Sequence, residues 1–146
     1  MGNMSNALNT PEVSMPKATQ LNVELENKTG SLARMCRDLA SNGVNLLALS
    51  APDIKAKSGL IRLLVANPEL AQKKITKLGY FYTVEEVLYI EIKNRPGSIA
   101  KAMEKLSRAN INIRYCYATA YKMSRKTGAV IAVAQEDLAK AYKLLR

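Results

Sequence analysis

Histidine is absent from this chain of 146 residues, and cysteine occurs twice. The first absence removes the commonest general base and the usual partner of a serine or cysteine nucleophile. Cys36 and Cys116 lie far apart, each among apolar neighbours. Two cysteines without histidine at that spacing cannot make a metal site, and they read instead as reduced, buried thiols of a cytoplasmic protein. No apolar run reaches the roughly 18–20 residues of a membrane span. The opening MGNMSNALNTPEVSMPK has no basic cluster followed by an apolar stretch, so it is no secretory signal. It starts Met-Gly, but Asn6 stands where a myristoylation signal needs Ser or Thr. Residues 1–17 show no periodicity and read as a mobile tail.

Carboxylates are also scarce, 12 against 22 Lys and Arg. Glu85 and Glu86 are adjacent, so in a strand they point to opposite faces. No catalytic constellation emerges, no cofactor is called for, and the chain reads as a non-enzyme. The net charge of +10 suits an acidic partner such as nucleic acid. The plainer reading is a set of solvated helix faces. Lys73, Lys74, Lys77, Lys101, Lys105, Arg108, Lys140 and Lys143 sit at helical spacings opposite apolar residues, and this reading is preferred.

What the chain does have is a repeat. ENKTGSLARM at 26–35 returns as KNRPGSIAKA at 93–102, an offset of 67. The same offset places Leu21, Val23 and Leu25 on Leu88, Ile90 and Ile92. It also places Leu39 on Leu106, and Val44-Asn45-Leu46 on Ile111-Asn112-Ile113. Two residues are inserted before Gly128, which then matches Gly59. TQLNVEL alternates as a half-buried strand, and GSLARMCRDLASNG has helical spacing and a glycine stop. VNLLALSA and LIRLLVA are strands around the loop PDIKAKSG. NPELAQKKITKLG is a helix with Asn67 as N-cap, Pro68 at its first position and Gly79 as stop, and YFYTVE is a fourth strand. The unit is βαββαβ, a ferredoxin-like α+β plan. The second copy repeats it through VLYIEIK, PGSIAKAMEKLSRAN, INIRYCYATAY, GAVIAVA and EDLAKAYKLL, and lacks its last strand. The expected division is 1–17 tail, 18–86 first copy and 87–146 second copy.

With Asn-x-x-Gly-Ser-Leu/Ile entering the first helix and Val/Ile-Asn-Leu/Ile entering the second strand, twice over, residues 18–146 resemble a tandem pair of ACT domains. The resemblance implies an allosteric, ligand-sensing regulatory protein, usually for a free amino acid. It implies units paired through their second strands, with ligand beside the loop that enters the first helix. Carried over, that loop is Asn27, Thr29, Gly30, Ser31 and Leu32, and again Asn94, Pro96, Gly97, Ser98 and Ile99. The strand-entry Asn45 and Asn112 would approach from the paired unit. The expected partners are the ligand, a second copy in a homodimer, and a regulated enzyme or transcription factor.

The residues suit that chemistry. The first N–H groups of a helix lack intrahelical partners and can meet a carboxylate. Gly30 and Gly97 let it approach, Lys28 and Arg95 add charge, and Asn27 and Asn94 offer an amide oxygen to the ammonium. Pro96 stiffens the second loop, so tighter binding is expected there. Against this, the glycines can serve the turn alone, and Ser31 and Ser98, taken individually, read better as helix caps. Tyr115, Tyr117 and Tyr121 share strand parity, with Tyr89 on a neighbouring strand, which raises an RNA-stacking alternative. The third strands are aliphatic, so packing is preferred for the tyrosines. A nucleic-acid-binding protein and a ligand-free dimerisation module remain the alternatives.

Overall fold

The computed structural model describes residues 17–53 and 55–146. The expected tail falls on residues outside that range, apart from Lys17, which opens the first strand. The chain divides into two compact units, Ala18–Glu86 and Val87–Arg146.

The first unit contains β1 (Lys17–Glu26), α1 (Ser31–Ser41), β2 (Leu46–Ser50), β3 (Ser58–Val65), α2 (Pro68–Leu78) and the start of β4 (Tyr82–Lys93). Its strands lie in the order β2-β3-β1-β4. β1 pairs antiparallel with β3, setting Leu21 against Leu63 and Val23 against Ile61. These residues alternate along both strands, so one face of the sheet is apolar. Met35 and Leu39 of α1 and Ala71 and Ile75 of α2 are spaced four apart, and all four are buried on that face. Local signals set the helix ends. The Asn67 side chain accepts a hydrogen bond from the Leu70 N–H at 3.1 Å, and Pro68 follows it. Gly79 ends α2 in the left-handed conformation.

The second unit is built from the rest of β4, α3 (Ser98–Arg108), β5 (Ile113–Thr119), β6 (Lys126–Val133), a 3-10 turn (Gln135–Asp137) and α4 (Leu138–Leu145). The strand order is β4-β6-β5, antiparallel throughout. A separate core joins Leu88, Ile90, Ile131 and Val133 to Ala102 and Leu106 of α3 and to Leu138, Ala141 and Tyr142 of α4. Position for position, Leu106 repeats Leu39, and both are wholly buried. Asn110 repeats Gly43, and both hold positive φ, 57° and 75°. Asn is among the few residues that adopt this region readily.

Three expectations need correction. The strands read at YFYTVE and VLYIEIK are one strand, β4, which runs from one unit into the other without a linker. Glu85 and Glu86 do not break it, since alternate faces take them, and Glu85 accepts a hydrogen bond from Asn22 at 3.1 Å. The cysteines are free, but Cys36 is half-buried and Cys116 exposed rather than buried. The Cys116 thiol is nevertheless partly desolvated by its surroundings, which pushes its pKa up. Tyr121 lies beyond the end of β5 and is exposed, so it does not extend the row of Tyr115 and Tyr117. Tyr89 packs on Gly128, whose added Cβ would lie 2.7 Å from Tyr89 Cε2. No helix among the described residues is long and apolar enough to cross a membrane.

Candidate ligand site

Each unit turns from its first strand into its first helix by the same construction. The N–H of Lys28 donates to Glu26 O and that of Ser31 to Lys28 O, both at 3.0 Å. Arg95 and Ser98 repeat these bonds to Lys93 and Arg95. Gly30 and Gly97 then hold φ near 89° and 88° as the N-caps of α1 and α3. A Cβ at either would meet nothing within 4 Å. Glycine is therefore required by the left-handed backbone, not by crowding.

The serines follow the cap instead of forming it. Neither helix has a side-chain cap hydrogen bond, so the capping reading of Ser31 and Ser98 is wrong. The reason is geometric: the preceding glycine takes the non-helical position, which puts each serine inside the first turn. Arg34 N–H and Lys101 N–H open the helical ladders by donating to Gly30 O and Gly97 O. The N–H groups of Leu32, Ala33, Ile99 and Ala100 fall in the part of the first turn that has no intrahelical acceptor.

Asn27 and Asn94 anchor the turns to the neighbouring hairpins. Asn27 Nδ2 donates to Ala56 O at 3.2 Å, while its N–H donates to Lys57 O at 2.8 Å. Asn94 Nδ2 donates to Ser124 O at 2.8 Å and to Tyr121 O at 3.2 Å, and its N–H to Arg125 O at 2.8 Å. The amide nitrogens are thus committed to backbone carbonyls, and this fixes the amide orientation.

Between turn, helix start and the end of the second strand lies a hollow, formed once in each unit. The first, of about 140 Å³, is lined by Glu26, Asn27, Lys28, Ser31, Leu32 and Pro52, among others. The second, of about 190 Å³, is lined by Lys93, Asn94, Arg95, Ser98, Ile99 and Thr119, among others. The repeat offset carries each of the first six onto the corresponding residue of the second six. Thr127 Oγ1 donates to Thr119 O along the wall of the second hollow.

Of the expected site residues, Asn27, Ser31 and Leu32 meet at one hollow, and Asn94, Ser98 and Ile99 at the other. Thr29, Gly30, Pro96 and Gly97 shape the turns without lining the hollows. Asn45 and Asn112 precede β2 and β5, whereas the hollows adjoin the C-terminal ends of those strands. Within its own unit, each is therefore at the far end of the strand. The strand-end residues Ala51, Pro52, Ala118 and Thr119 were missed. The offset of 67 that pairs Ala51 with Ala118 was the available signal.

The charges differ between copies. The first hollow carries Glu26 and Lys28, and the second carries Lys93 and Arg95. One rim offers both signs and the other only positive charge.

Two α+β units, each with a glycine-led turn beside a small hollow, repeat one construction twice in the chain. The sequence matches the ACT domain pair family over residues 17–144, and the chain belongs to that family. Protein BT0572 from Bacteroides thetaiotaomicron is similar in structure, with TM-score 0.78 and 31% identity over 88% of this chain and 86% of that one. The ligand-free regulatory subunit of aspartate kinase from Thermus thermophilus has TM-score 0.65 and 14% identity, covering 88% of this chain and 90% of that one. E. coli aspartokinase III in complex with aspartate and ADP has TM-score 0.57 and 18% identity, covering 88% of this chain and 31% of that one. No curated protein sequence matches the chain.

Proposed function

We propose that this ACT domain pair is a non-enzymatic, cytoplasmic regulator that binds a free amino acid at its repeated hollows. Binding would control a partner enzyme or transcription factor, or the assembly of the chain into a homodimer. The carrying observation is the duplicated hollow itself, lined by equivalent residues in both units. Its elements match a zwitterion: helix-start N–H groups and Lys28 for the carboxylate, and Glu26 with the Asn27 amide oxygen for the ammonium. Its size suits a ligand smaller than the drug-like molecules that fill cavities of about 300–1,000 Å³. The regulatory role of the Thermus thermophilus subunit supports a regulatory use of this pair. In this reading the second copy is an ACT unit without its final strand, as the element order β4-α3-β5-β6-α4 suggests.

The rim charges rank the two hollows. Lys93 stands where the first copy has Glu26, and a cation there repels an ammonium group. This favours the first hollow for an amino acid, against the stiffening argument from Pro96. The test is a thermal-shift screen of the full chain against the twenty amino acids, followed by calorimetry on Glu26→Lys. A ligand at one hundred times its Kd stabilises the folded state by about 2.7 kcal/mol, a readily measured shift. Affinity should fall at least about tenfold in Glu26→Lys, since hydrogen bonds to charged groups contribute about 1.5–3 kcal/mol. A screen without a single stabilising amino acid refutes the proposal. Unchanged binding by Glu26→Lys refutes the ranking.

A further inference from the structure

The positive charge of this protein is concentrated in one unit. Val87–Arg146 has 12 Lys and Arg against 4 Asp and Glu, a formal +8, whereas Ala18–Glu86 has 9 against 7, a formal +2. Such asymmetry between halves points to an acidic partner for the richer half. Solvated helix faces do not account for it, because four of these bases surround a hollow.

That hollow, of about 230 Å³, lies on the other flank of the α3 N-terminus from the one described above. Lys93, Arg95, Lys101 and Lys105 line it, above an apolar floor that includes Ile92 and Leu145. The first unit has a counterpart at the same place, of about 510 Å³, but the repeat offset puts Glu26, Arg34 and Asp38 where the second has Lys93, Lys101 and Lys105. In the first unit Asp38 also accepts a hydrogen bond from Tyr80 Oη at 3.2 Å. The two flanks have therefore diverged from mixed charge to wholly positive.

Among the described residues of Val87–Arg146, no carboxylate side chain forms an ion pair with the four bases. Of its four carboxylates, Glu91 pairs with Lys126 at 2.8 Å and Glu104 with Arg108 at 4.0 Å. Glu136 and Asp137 lie in the 3-10 turn before α4, while the hollow meets that helix at its other end, at Leu145. Lys101 and Lys105 are one turn apart on α3, a rise of about 6 Å, and like charges at that spacing repel. A bound anion relieves this repulsion. Two cations one turn apart, with two more from β4 and its following turn, can embrace an anion longer than one phosphate.

We propose that this hollow binds a small molecule bearing a diphosphate group, held by Lys93, Arg95, Lys101 and Lys105 with its uncharged part on Ile92 and Leu145. Lys93 and Arg95 line both hollows, but Lys101 and Lys105 line only this one, so variants of those two lysines test it apart from amino-acid binding.

The probe is inorganic pyrophosphate, titrated calorimetrically into the full chain at low salt, with ADP and a twenty-nucleotide oligothymidylate in parallel. The parent should bind pyrophosphate, and binding should weaken as salt rises. Affinity should fall at least tenfold in the Lys101→Gln, Lys105→Gln double variant and remain unchanged in Arg34→Gln. Both lysines are exposed, so circular dichroism should show a parental fold; the single variants, each weaker than the parent, give the same reading if the double variant unfolds. ADP binding that pyrophosphate displaces supports an esterified diphosphate as the ligand, and pyrophosphate binding alone supports the free anion. Absence of pyrophosphate binding, or equal binding by the lysine variants, overturns the proposal. Oligonucleotide binding that depends on the lysines and resists pyrophosphate also overturns it, in favour of a nucleic-acid surface.

Discussion

Replacing Gly97 by alanine separates a backbone cost from a packing cost. Gly97 holds φ at 88°, and a Cβ there would lie in open space. The substitution creates no clash. Its cost is that of an L-residue in the left-handed region, about 1–2 kcal/mol. A stiffer unfolded chain offsets about 0.4–1 kcal/mol of this. The expected net loss is about 1 kcal/mol, the difference between those two ranges. Gly97→Asn should cost less than Gly97→Ala, because Asn110 already occupies the same region at φ 57°. Gly128→Ala is the contrasting case. Gly128 does not have positive φ, but its Cβ would lie 2.7 Å from Tyr89 Cε2 and 2.8 Å from Tyr89 Oη. The ring must swing away, so the cost is one of overpacking, about 1–3 kcal/mol, and Tyr89→Ala in the same chain should relieve part of it. Urea unfolding followed by circular dichroism measures all of these. The reasoning fails if Gly97→Ala costs more than about 3 kcal/mol, beyond any left-handed penalty, or if Gly97→Asn is no cheaper than alanine.

Further outcomes follow from individual side chains. Asn94→Ala removes two hydrogen bonds to the hairpin carbonyls and should destabilise by about 1–2 kcal/mol, with faster amide exchange around Ser124. Asn67→Ala removes the acceptor for the Leu70 N–H and should cost about 1 kcal/mol; a chemical melt with no change would show that the cap is not needed. Partial desolvation keeps the Cys116 thiol pKa above its ordinary value, so its thiolate is scarce at neutral pH. In a Cys36→Ala background, its reaction with a disulfide reagent should keep accelerating at pH values where a free cysteine peptide has levelled off; matching profiles would contradict the direction of the shift.

Much of this architecture was legible because the repeat placed each element twice. The alternation of Leu21, Val23 and Leu25 and its echo in Leu88 and Ile90 marked the buried faces, and those residues are buried. Asn67 and Gly79 marked the ends of α2 for reasons confined to one turn of chain. Features that depend on contacts between distant segments were harder to read. The hollow needs the end of β2 beside the turn at Asn27, and residues as bland as Ala51 and Pro52 carry no sign of that beyond the repeat offset that pairs them with Ala118 and Thr119. Ser31 looked like a cap by composition, but only the φ of Gly30 shows which residue occupies the cap position. The continuity of β4 was hidden by the repeat itself, which assigns YFYTVE to the first copy and VLYIEIK to the second and so divides one strand in two. The cationic hollow escaped notice because Lys101 and Lys105 have the spacing of an ordinary exposed helix face.

The single strand Tyr82–Lys93 also governs how this protein can be taken apart. The division between units falls at Glu86 and Val87, inside a hydrogen-bonded strand. A protease acting on folded protein needs an extended, accessible loop, and that boundary offers none. Limited digestion should nick the exposed hairpin turns before it separates the halves. Fragments meant to carry a single unit must each include all of Tyr82–Lys93, because ending at residue 86 or starting at residue 87 cuts through the strand. The two halves can be duplicated in sequence, yet the strand they have in common belongs to both and cannot be allotted to either.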